Sequence, residues 1–119
     1  MLFVQYPKCS TCQRAEKWLQ EQGITYKSRH IKEENPNEEE LRVWHKKSGL
    51  PLKRLFNTSG MLYKEMNLKE KLPTMDEEEQ FQLLATDGML VKRPLIVEED
   101  FVLIGFRPKE WEEKLLKNK

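Results

Sequence analysis

The sequence predicts an α/β fold in which a βαβ unit and a ββα unit build a four-stranded mixed sheet, with an all-helical segment inserted between them. Two observations carry this expectation. Short apolar runs lie near the two ends of the chain, over residues 3–6, 24–31, 95–97 and 101–104. Between about residues 35 and 90 the apolar spacing is helical, and Asn, Asp, Gly and Pro punctuate it. At 119 residues and 38% hydrophobic content, one domain spanning 1–119 with a modest core is expected.

Taken in order, Phe3, Val4 and Tyr6 read as a short buried strand, and Ala15, Trp18 and Leu19 recur behind them at helical spacing. That helix should end near Gly23. Residues 24–31 read as a second strand with Ile24, Tyr26 and Ser28 on one face. A strand, a helix and a further strand imply parallel pairing, which leaves the turn after the first strand at the carboxyl end of the sheet. Asn37, followed by Glu38, Glu39 and Glu40, has the form of an N-cap with an acidic first turn. Leu41, Trp44 and Val43 give that helix an apolar stripe, and Ser48-Gly49 before Pro51 ends it. Short helices around the turn Asn57-Thr58-Ser59-Gly60 should fill residues 51–72. Asp76 caps the next helix, with Phe81, Leu84 and Ala85 buried and Gly88 as its stop. Met61, Met66, Met75 and Met89 share no period and read as gap-filling or partly exposed residues.

Beyond Gly88 the period shortens. Residues 95–97 and 101–104, separated by Glu98-Glu99-Asp100, have the pattern of an antiparallel hairpin. Pro108 suits the first position of a last helix that buries Trp111 and Leu115. Lys114, Lys117 and Lys119 complement the negative end of that helix, a better account of the basic tail than a nucleic-acid patch. This order of elements is that of a thioredoxin-like fold carrying a helical insertion.

Both cysteines fall in Tyr6-Pro7-Lys8-Cys9-Ser10-Thr11-Cys12, where the first strand meets the first helix. Cys9 would sit at the helix N-terminus, where unpaired N–H groups and the helix dipole favour a thiolate, and Lys8 would act in the same direction. Cys12, about a turn further in, could resolve a mixed disulfide formed on Cys9. A zinc site is the main alternative, but His30 and His45 are spaced far more widely than the roughly three to five residues of a zinc-finger pair. Burial of both cysteines as small core residues fits poorly with the Pro, Lys, Ser and Thr around them. His30 and His45 themselves read as solvated surface histidines, and the acidic runs as first turns of helices rather than metal sites.

Lys and Arg number 21 against 20 Asp and Glu, a formal net charge of +1. Composition therefore gives no general drive toward nucleic acid or an anionic membrane. The first apolar run, interrupted at Gln5 and stopped by Pro7, is too short for a secretory signal, and no later run approaches a membrane span. A cytoplasmic location is expected, where paired cysteines serve redox chemistry more often than structure.

Pro7-Lys8-Cys9-Ser10-Thr11-Cys12, Asn57-Thr58-Ser59-Gly60, the run from Leu84 to Leu95 containing Arg93-Pro94, and Gly105-Phe106 together resemble the arsenate reductase-related family that includes the Spx-type regulators. The resemblance spans essentially the whole chain. It implies that Cys9 is the reactive cysteine, that Arg93 and a cis Pro94 lie across from it, and that Arg107 helps hold substrate. It also implies small thiols or a thioredoxin- or glutaredoxin-type protein as reductant, with no metal and no cofactor. Arsenate reductases carry a His and two arginines where this chain has Gln5, Gln13 and Asn57, and Arg14 stands one place out of register. A tetrahedral dianion needs several fixed donors, so these replacements, with the added Cys12, favour disulfide exchange over arsenate reduction. Spx-type regulators bind RNA polymerase through the C-terminal domain of its α chain, but a glycine of the region they use falls near Pro51 here. Transcriptional regulation is thus the runner-up expectation.

Overall fold

The computed structural model describes residues 1–116; Lys117 and Lys119, expected to complement the last helix, lie outside the described residues. Four strands form one sheet in the order β2-β1-β3-β4. Strand β1 (Leu2–Gln5) pairs in parallel with β2 (Lys27–His30) and antiparallel with β3 (Leu95–Val97), which pairs antiparallel with β4 (Val102–Ile104). This is the mixed sheet of a thioredoxin-like α/β fold.

Alternation along the strands divides the core into two layers. Phe3, Ile96 and Leu103 point to one face and pack with Ala15, Leu19 and Trp111, from helices α1 (Ser10–Glu21) and α6 (Pro108–Leu115). Val4, Leu95, Val102 and Ile104 point to the other, against the helices that follow β2. Those are α2 (Glu38–Ser48), α3 (Met61–Glu65), α4 (Leu68–Lys71) and α5 (Glu77–Leu84), joined by 3-10 turns at Leu52–Leu55, Leu72–Thr74 and Gly88–Leu90.

The caps form as local chemistry predicts. Asn37 accepts from the Glu40 amide while the Glu40 carboxylate accepts from the Asn37 amide, and Asp76 and Glu79 repeat the arrangement at α5. Gly49, in the left-handed region, ends α2.

Several expectations are corrected. The second strand is four residues long, because residues 24–26 do not enter the parallel ladder, although Ile24 and Tyr26 still pack on the α1 side. Val43 is 43% exposed, since the buried stripe of α2 is Leu41 and Trp44 alone. Gly88 does not stop α5, which ends at Leu84. Its role is close approach: a Cβ there would lie 1.8 Å from the carbonyl oxygen of Ile31, so only glycine lets this turn pack on the end of β2. Neither histidine is simply solvated. His30 Nδ1 accepts from the Lys32 and Glu33 amides, and His45 is half-buried with its ring 5.7 Å from that of Phe81.

Candidate active site

Pro7 breaks β1, and Cys9 occupies the N-cap position of α1 in extended conformation. Its amide donates to the Tyr6 carbonyl at 2.9 Å, and its carbonyl accepts from the Gln13 amide at 3.0 Å. The Gln13 side chain donates to the Pro7 carbonyl at 2.9 Å and fixes the turn from outside. Cys9 is thereby held at the sheet's carboxyl edge and remains half-exposed.

Cys12 is different. It has no exposed surface and shares the buried face of α1 with Ala15 and Leu19. The polar turn suggested otherwise, but the i, i+3, i+7 spacing of these three residues places Cys12 toward the sheet. Both cysteines are free thiols.

Their acidities diverge. Partial burial alone would raise the pKa of Cys9, but the amide and thiol of Cys12, the amide of Thr11 and the charge of Arg93 together hold it below the ordinary thiol value. Burial pushes Cys12 up to about 12, reinforced by the neighbouring Cys9 and only partly opposed by the Tyr6 amide and Arg93. The cation acting on this pair is Arg93, where sequence proximity had pointed to Lys8.

Arg93 is placed by long-range backbone pairing. The Asn57 amide donates to the Leu90 carbonyl at 2.8 Å and the Lys92 amide to the Leu55 carbonyl at 2.7 Å, forming a short antiparallel bridge between Phe56 and Val91. This brings the turn after Phe56 alongside the segment leading into β3. Arg93 donates to the Met89 carbonyl at 3.2 Å and lies over the Tyr6 ring, 5.3 Å from its centroid. The Arg93-Pro94 peptide is cis. Pro94 is buried, and its carbonyl accepts from the Gly105 amide at 2.9 Å. Gly105 adopts φ 79°, a conformation that disfavours a side chain, and its carbonyl accepts from Trp111 Nε1 at 3.0 Å.

A cleft of about 770 Å³ opens at Cys9. Arg93 and Arg107, both expected at the site, line it. Lys32, Arg54 and Lys92 line it too, and nothing in the sequence had singled them out. Asp87 is the one carboxylate among the lining residues, and its Oδ1 is engaged by the Met89 amide. Met61, Leu62 and Phe106 supply an apolar wall. Pro94 and Cys12 do not reach the cleft surface, and Arg14, which donates to Thr11 Oγ1 at 3.2 Å, does not line it either.

The residues standing in the arsenate-enzyme positions are differently employed. Gln5 is 6% exposed and donates to Glu16 at 3.1 Å and Ser28 at 2.8 Å, beneath the site rather than in it. Gln13 serves the turn as described, and only Asn57 lines the cleft. Among the described residues no group of three His, Cys, Asp or Glu side chains gathers as a metal site would require. Nor, among them, is any helix long and apolar enough to cross a membrane.

A thioredoxin-like sheet, a half-exposed cysteine at the N-terminus of its first helix, and a cis Arg93-Pro94 peptide leading into β3 define an α/β protein built around a single exposed thiol. Residues 4–114 match the ArsC family, and the chain belongs to that family. It is 53% identical over 113 residues to the uncharacterized protein YusI of Bacillus subtilis, covering 95% of this chain and 96% of that one. Similarity to the global transcriptional regulator Spx of Enterococcus faecalis is lower, at 29% identity, covering 87% and 77% of the two chains. Among solved structures, an ArsC family related protein from Bacteroides fragilis superposes with a TM-score of 0.92 at 62% identity, covering 94% of each chain. A possible arsenate reductase from Streptococcus mutans does so with a TM-score of 0.85 at 43% identity, covering 93% and 96%.

Proposed function

We propose that this protein is a thiol-disulfide oxidoreductase in which Cys9 attacks and Cys12 resolves. The observation that carries the reading is the asymmetry of the pair: an accessible, acidified Cys9 with a buried thiol of raised pKa behind it. The Cys9 thiolate displaces one thiolate from a disulfide R–S–S–R′ and becomes joined to the other half as a mixed disulfide. Cys12 then gives up its proton, attacks Cys9 and releases the second half as a thiol. The substrate gains two electrons, and the protein loses them as it forms a Cys9–Cys12 disulfide. Once Cys9 is bound in the mixed disulfide its negative charge is gone, which removes one cause of the high Cys12 pKa at the step where a Cys12 thiolate is needed. A small thiol or a thioredoxin- or glutaredoxin-type protein would restore the dithiol, in the cytoplasm.

Arsenate reduction is the weaker reading. Gln5 is buried with both amide hydrogens committed to Glu16 and Ser28, and Gln13, bonded to the Pro7 carbonyl, does not line the cleft, so neither stands where a donor to an oxyanion at Cys9 is needed. Each charge-assisted hydrogen bond missing from the anion is worth about 1.5–3 kcal/mol. Slow or undetectable arsenate turnover is therefore expected. Likeness to Spx supports a second reading, in which residues 49–55 bind the C-terminal domain of the RNA polymerase α chain and the redox state of Cys9 and Cys12 tunes the complex. An NMR titration that shows no interaction removes it.

The redox reading is tested by mixing reduced protein with excess 2-hydroxyethyl disulfide and measuring intact mass after thiol alkylation. The wild type should end with both cysteines protected from label, and Cys12→Ser should stop as a mixed disulfide on Cys9. Equal labelling before and after treatment would overturn the proposal.

A further inference from the structure

Five cations, Lys32, Arg54, Lys92, Arg93 and Arg107, line the cleft at Cys9 against a single carboxylate, Asp87. Arg29 pairs with Glu40, and Arg42 with Glu38 and Glu78. Among the described residues, none of Lys32, Arg54, Lys92, Arg93 and Arg107 has a carboxylate within ion-pairing distance. Twenty acidic residues are available in the chain, so this concentration of uncompensated positive charge in one cleft points to an anion supplied from outside.

The charge also extends away from the thiol. A second hollow of about 330 Å³ shares Arg54 and Lys92 with the cleft at Cys9, and adds Lys53 and the apolar surfaces of Pro51 and Phe56. The Leu55–Lys92 backbone bond ties the 3-10 turn that carries Arg54 to the segment that carries Lys92, and both cations line both hollows. A compact oxyanion at Cys9 would leave this outer part empty.

We infer that the hollow lined by Lys53, Arg54 and Lys92 is a subsite for the anionic tail of an elongated, low-molecular-weight disulfide whose sulfur reacts at Cys9. The inference rests on the thiol-exchange reading and adds the substrate class. Each of the two hollows is of the size that small-molecule sites occupy. Carboxylate and phosphate tails share the required chemistry. The electron balance is that of the exchange above: Cys9 bonds to the sulfur carrying the tail, the better leaving thiolate departs, and Cys12 then releases the tailed thiol as the protein disulfide closes.

The test uses stoichiometric reduced protein in single turnovers, so that the two protein thiols are the only reductant. Mixed disulfides of 2-thiopyridine with coenzyme A (phosphate tail), glutathione (carboxylate tail), 3-mercaptopropionate (short anion), 2-mercaptoethanol (neutral) and cysteamine (cationic) are compared by the release of 2-thiopyridone. At least one long-tailed anion should react about tenfold faster or more than the neutral compound, with cysteamine slowest. The preference should shrink as KCl is raised. Whichever of coenzyme A and glutathione is faster identifies phosphate or carboxylate as the tail. In Arg54→Gln/Lys92→Gln the ratio of long-tailed to neutral rates should fall toward one. Should that variant not fold, the salt dependence of the native protein still decides. Equal rates for all charges would overturn the inference and leave thiol exchange standing. So would a short anion matching the long ones, which would place anion recognition beside the sulfur. Failure of every disulfide to react would overturn both.

Discussion

Adding a single methyl group at Gly88 should damage both stability and the active site. An ideal Cβ at this position lies 1.8 Å from the Ile31 oxygen and 2.7 Å from the Ile31 carbonyl carbon. Ordinary contact begins near 3.4 Å, so the turn and the end of β2 must part by roughly 1.5 Å. Neither side can yield by a rotamer change, because both clashing groups are main chain. Ile31 is further tied by its amide to the Gln5 carbonyl at 2.8 Å, and the Gly88 carbonyl accepts from Val91 at 3.1 Å. Overpacking costs about 1–3 kcal/mol, and a clash between two hydrogen-bonded backbones belongs at the upper end. With a urea slope of roughly 2 kcal/mol/M, the unfolding midpoint of Gly88→Ala should fall by about 1.5 M. Because the adjacent Met89 carbonyl holds Arg93, the variant should also react more slowly at Cys9. Urea titration followed by tryptophan fluorescence gives the first quantity and iodoacetamide kinetics the second. An unchanged midpoint would refute the close-packing argument.

Arg93→Gln should raise the pKa of Cys9, because the guanidinium is one of the groups that lower it, and should slow alkylation at neutral pH while leaving the rate at high pH closer to the wild type. Asn37→Ala and Asp76→Ala should each cost about 1 kcal/mol in urea unfolding, since each removes a cap that accepts an amide hydrogen. Alkaline stability should track Cys12. Its folded pKa is raised to about 12, so above the ordinary thiol value the folded state holds a proton that the unfolded state releases, and stability falls from there up to about pH 12. Differential scanning calorimetry of the reduced protein should show this loss, diminished in Cys12→Ala.

Local chemistry was the legible part of the sequence. The Asn37 and Asp76 caps announce themselves because donor, acceptor and helix start all lie within four residues. The parallel first pair and the antiparallel hairpin followed from the βαβ and ββα patterns, with the second strand overestimated because Ile24 and Tyr26 are partly buried against the α1 side without being paired. Cys12 shows two signals in conflict: the polar turn composition suggested exposure, while its register with Ala15 and Leu19 set its burial. Arg54, Lys92 and Lys32 were missed for a different reason. They reach the cleft through the pairing of residues 55–57 with 90–92 and the packing of Gly88 on Ile31, contacts made by backbone atoms that carry no side-chain signature. The available clue was a cation beside each segment singled out on other grounds: Arg54 before the Asn57 turn, Lys92 beside Arg93.

The most direct test of the account is the pH dependence of alkylation at each cysteine of the reduced protein, resolved by peptide mass spectrometry. Cys9 should label first, with a midpoint below the ordinary thiol value, and Cys12 should stay unlabelled until the pH approaches about 12 or the protein unfolds. Equal midpoints, or earlier labelling of Cys12, would contradict the assignment of Cys9 as the attacking thiol and Cys12 as the resolver.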